Sequence, residues 1–218
     1  MTESDYLEWN RSWPEFIVRT DDEVAVDLLQ RYYALDDAAN PLYTGARFES
    51  IAALNDDPNK IAPADLVAVS MLSVEVPPRA AIRLLGPDSE SISGLLSQID
   101  NSVDIVDIQP EALRAGSPAD ELWRVLRSAR DGLGPTTVSK LLAAKRTRLL
   151  PIWDTFVERA TGLDTVDYWS KFRSVLNADD RRIWTWLGNI RLQASNVPES
   201  VTELRTLDVL LWMSVATR

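Results

Sequence analysis

Residues Arg124 to Arg159 read RVLRSARDGLGPTTVSKLLAAKRTRLLPIWDTFVER. Two helical stretches meet at the turn Gly132-Leu133-Gly134, and the second of them starts at Pro135 and runs to about Ala144. A basic connector follows, closed by Pro151, and Asp154 opens another helix to about Ala160. Glycine tolerates positive φ and carries no side chain, so the N–H groups of such a turn can approach a phosphate closely. The helix start at Pro135 adds free amides and the positive end of a dipole, although proline itself supplies no donor. Lys140, Lys145, Arg146 and Arg148 are placed to flank a phosphate path. On these residues alone two readings stand open: a tight turn between antiparallel helices, or a backbone cradle for a phosphate.

Helix signals dominate the rest of the chain. Thr20-Asp21-Asp22-Glu23 has the form of a capping box, followed by Val24, Val26, Leu28, Leu29, Tyr32 and Leu35 at helical spacing. Pro63 opens a stretch that is apolar nearly all round, which predicts a buried central helix. A short helix after Pro77-Pro78 stops at Gly86-Pro87, and another is expected from Asp88 to Ile99. Residues Val103 to Ile108 are the one stretch with an extended reading. Ser117 as cap and Pro118 at the first helical position start a helix to about Arg130. Further helices are expected at Thr165 to Leu176, Asp179 to Ala194, and from Ser200 onward. The expectation is an all-α, multi-helix globular protein of about ten helices. Residues 1–60 form an N-terminal helical extension and 61–218 the core.

Composition excludes whole classes of chemistry. The 218 residues contain no Cys and no His. Disulfides, thiolate nucleophiles, iron–sulfur clusters, zinc–thiolate sites and imidazole catalysis are therefore ruled out, and no metal site is expected. General acids and bases are limited to Asp, Glu, Lys and Tyr. No apolar run approaches the ~18 residues of a membrane span. The opening MTESDYLEWN is acidic and polar, unlike a signal peptide, so a cytoplasmic protein is the expectation.

Net charge is −10, from 23 basic and 33 acidic side chains. Between Trp123 and Leu150, however, stand seven basic residues and one acid, Asp131, a local net of +6. A basic segment on an acidic body is what local phosphate contact requires, and equally what a salt-bridged helix face provides.

The Arg124–Arg159 segment resembles the helix-hairpin-helix and Gly/Pro-rich loop–Asp region of the base-excision DNA glycosylase superfamily. The resemblance rests on Gly132-Leu133-Gly134, on Pro151-Ile152-Trp153-Asp154 with Asp154 twenty positions after Gly134, and on the continuation Asp154-Thr155-Phe156-Val157-Glu158-Arg159. It covers about 35 residues. It implies a glycosylase-like helical core, with the amides of Leu133 and Gly134 and those near Thr136 holding a phosphate of double-stranded DNA. An alkali ion on the hairpin carbonyls is implied as well. Asp154 would then be the catalytic carboxylate that stabilises oxocarbenium character as an N-glycosidic bond breaks. Two residues depart from the pattern. Thr136 stands where bifunctional members carry the Schiff-base lysine, so lysine-dependent lyase chemistry is not implied, and Asp131 replaces the usual proline beside the phosphate site. The iron–sulfur loop of some members is absent. The overall pattern is also similar to an uncharacterised actinobacterial family, which brings no activity with it.

Trp153 and Asp208 are the remaining pocket candidates. Trp153 either stacks on a base beside Asp154 or fills the core. Asp208, inside the apolar run Leu207 to Trp212, is either a second site carboxylate or the partner of an Arg, a helix start or solvent. The functional expectation is a DNA-binding protein, in the stronger form a monofunctional glycosylase. The alternatives are a non-catalytic nucleic-acid or protein-binding module, and a degenerate scaffold that binds no DNA.

Overall fold

A computed structural model describes residues 12–216. It is all-helical, with 60% of residues in helix and no strand among the described residues. The helices are α1 (Glu15–Val18), α2 (Asp22–Tyr32), α3 (Phe48–Ala52), α4 (Pro63–Met71), α5 (Pro78–Leu85), α6 (Ser89–Leu96), α7 (Pro118–Ser128), α8 (Pro135–Lys145), α9 (Thr155–Thr161), α10 (Tyr168–Gln193) and α11 (Glu203–Ala216). They gather in two compact units. One takes the chain up to Tyr43 and again from Trp153, the other Thr44–Ile152. Residues on both sides of position 60 thus share a unit, whereas the sequence reading divides them there.

Unit Thr44–Ile152 packs α4 and α3 against α8, around Phe48, Ala52, Ala68, Ala143 and Ile152. Helix α7 packs on both α6 and α8. Its start is as expected: Ser117 Oγ accepts the Asp120 amide at 3.2 Å, with Pro118 at the first helical position. The expected burial of α4 all round does not hold. Asp65, Ala68 and Val69 face inward while Val67 is 49% exposed. Its inner face carries a carboxylate because the helix must meet a lysine of α8, a demand that a hydropathy pattern does not display. Residues 103–108 are not extended either. They form a turn that buries Ile105 and Val106 and donates the Ile105 amide to the Arg148 carbonyl at 2.9 Å.

In the other unit α11 packs on α9, α2 and α10. The α2 cap is Asp21 rather than Thr20, its side chain accepting the Val24 amide at 3.3 Å. Thr20 has a positive φ of 53° and gives its hydroxyl to the Arg19 carbonyl, so it cannot serve the helix start. Buried Ala25, Leu28, Leu29 and Tyr32 follow, with Val24 turned outward. The break expected between Leu176 and Asp179 is present within α10: Ala178 is extended and Asp179, Asp180 and Arg181 are left-handed.

Candidate functional site

The glycine hairpin joins α7 to α8. Gly132 has φ +92°, and a Cβ there would stand 3.0 Å from Pro77 Cγ. The conformation demands glycine, and the space is tight for any side chain. The contact also sets the start of α5 against the hairpin, since Pro77 immediately precedes that helix. Leu133 is buried and anchors the turn.

Asp131 does not face outward as a bare acid. Its Oδ2 accepts Arg83 Nε at 2.7 Å and its Oδ1 accepts the Leu133 amide at 3.3 Å. Arg83 also donates to Asp88 Oδ2 at 2.7 Å and to the Leu126 carbonyl at 3.0 Å. Burial raises the Asp131 carboxyl, but the Arg83 guanidinium and the Leu133 amide outweigh it and hold the group below the usual carboxylate range. Burial likewise works against the Arg83 charge, and the hydrogen bonds to Asp88 and Asp131 outweigh it in turn. The Leu133 amide, an expected phosphate donor, is therefore already engaged.

Helix α8 begins at Gly134 with no side-chain cap. The amides of Gly134, Thr136 and Thr137 have no acceptor among the described residues, and Val138 is the first to bond back, to the Gly134 carbonyl at 3.1 Å. Exposed arginines stand in the segments that meet at the hairpin. Arg79, two residues beyond Pro77, and Arg130, two before Gly132, make no hydrogen bond or ion pair among the described residues. Arg127 stands over the Trp123 ring at 5.3 Å. Sequence reasoning counted Arg127 and Arg130 in the basic segment and overlooked Arg79 and Arg83. The signal available was their spacing of four in a short amphipathic helix that follows a Pro-Pro pair.

The four cations expected along a phosphate path are instead built into the fold. Lys140 Nζ donates to the Leu72 carbonyl at the end of α4, at 3.0 Å. Lys145 Nζ reaches the Asp57 carbonyl at 2.9 Å and the buried Asp65 carboxylate at 3.4 Å, and burial outweighs that partner to lower its pKa. Asp65 is closed off further by Asn55 Nδ2 at 2.6 Å and the Ala62 amide at 2.7 Å. Arg146 is 1% exposed. Its guanidinium donates to the Ile99, Pro58, Lys145 and Leu96 carbonyls and to Asn59 Oδ1. Burial pulls its pKa down to about 10, still well above neutrality. Arg148 pairs with Asp104 at 2.7 Å. For Lys140, Lys145 and Arg146 the physical reason is common: backbone carbonyls from loops and helix ends converge on them, and a buried carbonyl needs a donor.

The other expected residues lie in the unit that takes the chain up to Tyr43 and again from Trp153. Asp154 is 5% exposed and caps α9, its Oδ1 accepting the amides of Phe156 at 3.0 Å and Val157 at 2.9 Å. Trp153 is a core residue whose Nε1 donates to the Leu163 carbonyl at 2.8 Å. Asp208 is buried against Arg205, whose guanidinium also reaches the Tyr32 hydroxyl at 2.8 Å. Arg159 lies over the Phe156 ring at 5.9 Å. A groove of about 540 Å³ in this unit is lined by Asp22, Asp180, Arg182, Trp186, Asn189 and Gln193 among others, and includes none of the expected site residues. No group of three or more Asp and Glu residues suited to a metal ion occurs among the described residues. No helix among them is long and apolar enough to cross a membrane.

Searches of curated proteins and of solved structures found no match. A family defined by sequence matches residues 25–215, both units included. By that coverage the chain belongs to the family of unknown function DUF6308.

Proposed function

We propose that this protein is a nucleic-acid-binding module that takes a phosphate strand of double-stranded DNA at the hairpin. The observation that carries the reading is the uncapped start of α8. Its free amides at Gly134, Thr136 and Thr137 follow a turn whose positive φ favours glycine, and the exposed cations Arg79 and Arg130 stand two residues from Pro77 and Gly132, which touch each other. Such a helix start attracts anions through its dipole and its unsatisfied donors. The acid that immediately precedes the hairpin, Asp131, is held by Arg83.

Base excision by Asp154 draws less support, because the carboxylate is buried and serves as a helix cap. A scaffold that binds no nucleic acid is the second reading. It is favoured by the net charge of −10 and by the internal use of Lys145 and Arg146.

The deciding variant is Gly134→Asp. A Cβ at Gly134 meets nothing within 4 Å, and the backbone there is extended, as a capping residue requires. Aspartate would accept the free amides, so the fold should gain a few tenths of a kcal/mol. The same carboxylate would occupy the phosphate position, and affinity for a fluorescent duplex oligonucleotide should fall at least roughly tenfold. Wild-type binding that ignores salt, or that survives this substitution, overturns the reading.

A further inference from the structure

The sequence places an acid, Asp131, next to the turn proposed to meet a phosphate, where a negative charge is least welcome. We infer that Arg83 is a positioning residue for that site. By holding Asp131 it masks the acid and fixes the hairpin in the conformation that leaves the α8 amides open. The inference rests on the hairpin reading above and goes beyond it, since it assigns the role to a residue remote in sequence that touches no phosphate.

The geometry is specific. Arg83 reaches three acceptors from three places: Asp88 beyond the end of its own helix, the Leu126 carbonyl in the last turn of α7, and Asp131 in the hairpin. The side chains of Arg83 and Asp131 are only 15% and 9% exposed, so the pair is largely shielded from water and from screening salt. With one oxygen of Asp131 on Arg83 and the other on the Leu133 amide, the carboxylate is turned back across its own turn. The amides beyond Leu133 are left without a competing internal acceptor. Remove Arg83, and an uncompensated carboxylate sits one residue before Gly132, free to swing toward the phosphate position or onto the open amides. Lysine is not equivalent at position 83, because a single ammonium cannot present the planar fork that spans these acceptors.

The test uses the full chain, a fluorescent duplex oligonucleotide, and the variants Arg83→Gln, Asp131→Asn and their combination. Affinity should fall roughly tenfold in Arg83→Gln, as expected for an unpaired carboxylate set against a phosphate strand. Asp131→Asn alone should keep wild-type affinity or exceed it by roughly twofold, because it removes the charge that Arg83 masks. The double variant should return to within roughly threefold of wild type. A merely structural arginine predicts the opposite, with the double variant at least as weak as Arg83→Gln.

Hydrogen exchange at the Leu133 amide supplies a readout without DNA. Its protection should drop in both Arg83→Gln and Asp131→Asn. Should Arg83→Gln fail to fold, Asp131→Asn alone still decides, since a loss of affinity in that variant overturns the masking role. Unchanged affinity in a folded Arg83→Gln, or a double variant that stays weak, overturns it as well. A wild type that binds no duplex sinks the hairpin reading, and with it the masking role. Where the wild type does bind, intact Leu133 protection in Arg83→Gln overturns the positioning role while leaving the hairpin reading standing.

Discussion

Arg146 shows how a single residue can reverse a functional reading. In sequence it belongs to Lys145-Arg146-Thr147-Arg148, a run that reads as a nucleic-acid contact. In the fold it is one of the largest fully buried side chains, and it satisfies carbonyls 47 to 88 positions away in the chain. Replacing it with methionine preserves bulk but leaves those carbonyls without a donor. Orphaning several buried acceptors is expected to cost about 3–5 kcal/mol, read as a lower urea midpoint with unchanged slope. A shift under about 1 kcal/mol would mean that water reaches those carbonyls.

Asp131 offers a second test at this scale. Its pKa is held below the unfolded value, so its contribution to stability is present above about pH 4 and disappears as pH falls through the folded value. Wild type should therefore exceed Asp131→Asn in stability near neutrality, and the difference should shrink as pH falls from about 4 toward 2. A constant difference across that window in thermal unfolding would rule out the ion pair as its source.

At the scale of the element, helix starts were the most legible features. Ser117-Pro118 and Gly134-Pro135 begin helices as their chemistry predicts, because capping depends on residues within one turn of each other. The same local logic places Asp154 at the start of α9, which is where its measurable contribution should lie. Asp154→Ala should destabilise the protein by about 0.5–2 kcal/mol, and Asp154→Asn by clearly less, since asparagine also accepts the two amides. Urea unfolding of the two variants checks this, and equal losses would show that the charge of Asp154, rather than its capping oxygen, is what the fold uses. Helix α4 illustrates the opposite case. Its composition reads as buried all round, yet Val67 lies outside and Asp65 inside. Which face turns inward was set by Lys145 on another helix, and nothing within α4 announces that partner.

Across the whole molecule, charge is the governing variable. The acidic body repels a phosphate backbone, so the binding proposed at the hairpin would depend on few local contacts. With Arg79, Arg127 and Arg130 as its exposed cations, the logarithm of the duplex affinity should fall against the logarithm of salt with a slope of roughly three. A chain without His or Cys has no side chain with an ordinary pKa between about 5 and 8. Affinity should therefore stay within roughly twofold from pH 6 to pH 8. Fluorescence anisotropy over both series checks the pair, and a slope near seven would indicate that the whole basic segment from Trp123 to Leu150 takes part after all.

The sequence by itself determined the all-helical class, the hairpin, most helix starts and the break in α10, because each is set by residues one or two turns apart. It also determined, by lacking Cys and His, which chemistries this protein cannot perform. Only the tertiary structure decided the employment of its charges. Lys140, Lys145 and Arg146 turn inward, Arg148 pairs with Asp104, and Arg79 and Arg130 remain outside. The physical reason is that a cation goes where its acceptors are. Those acceptors, Asp65, Asp104 and the carbonyls near Pro58 and Ile99, arrive from segments 44 to 88 positions away in the chain, brought there only once the helices have packed.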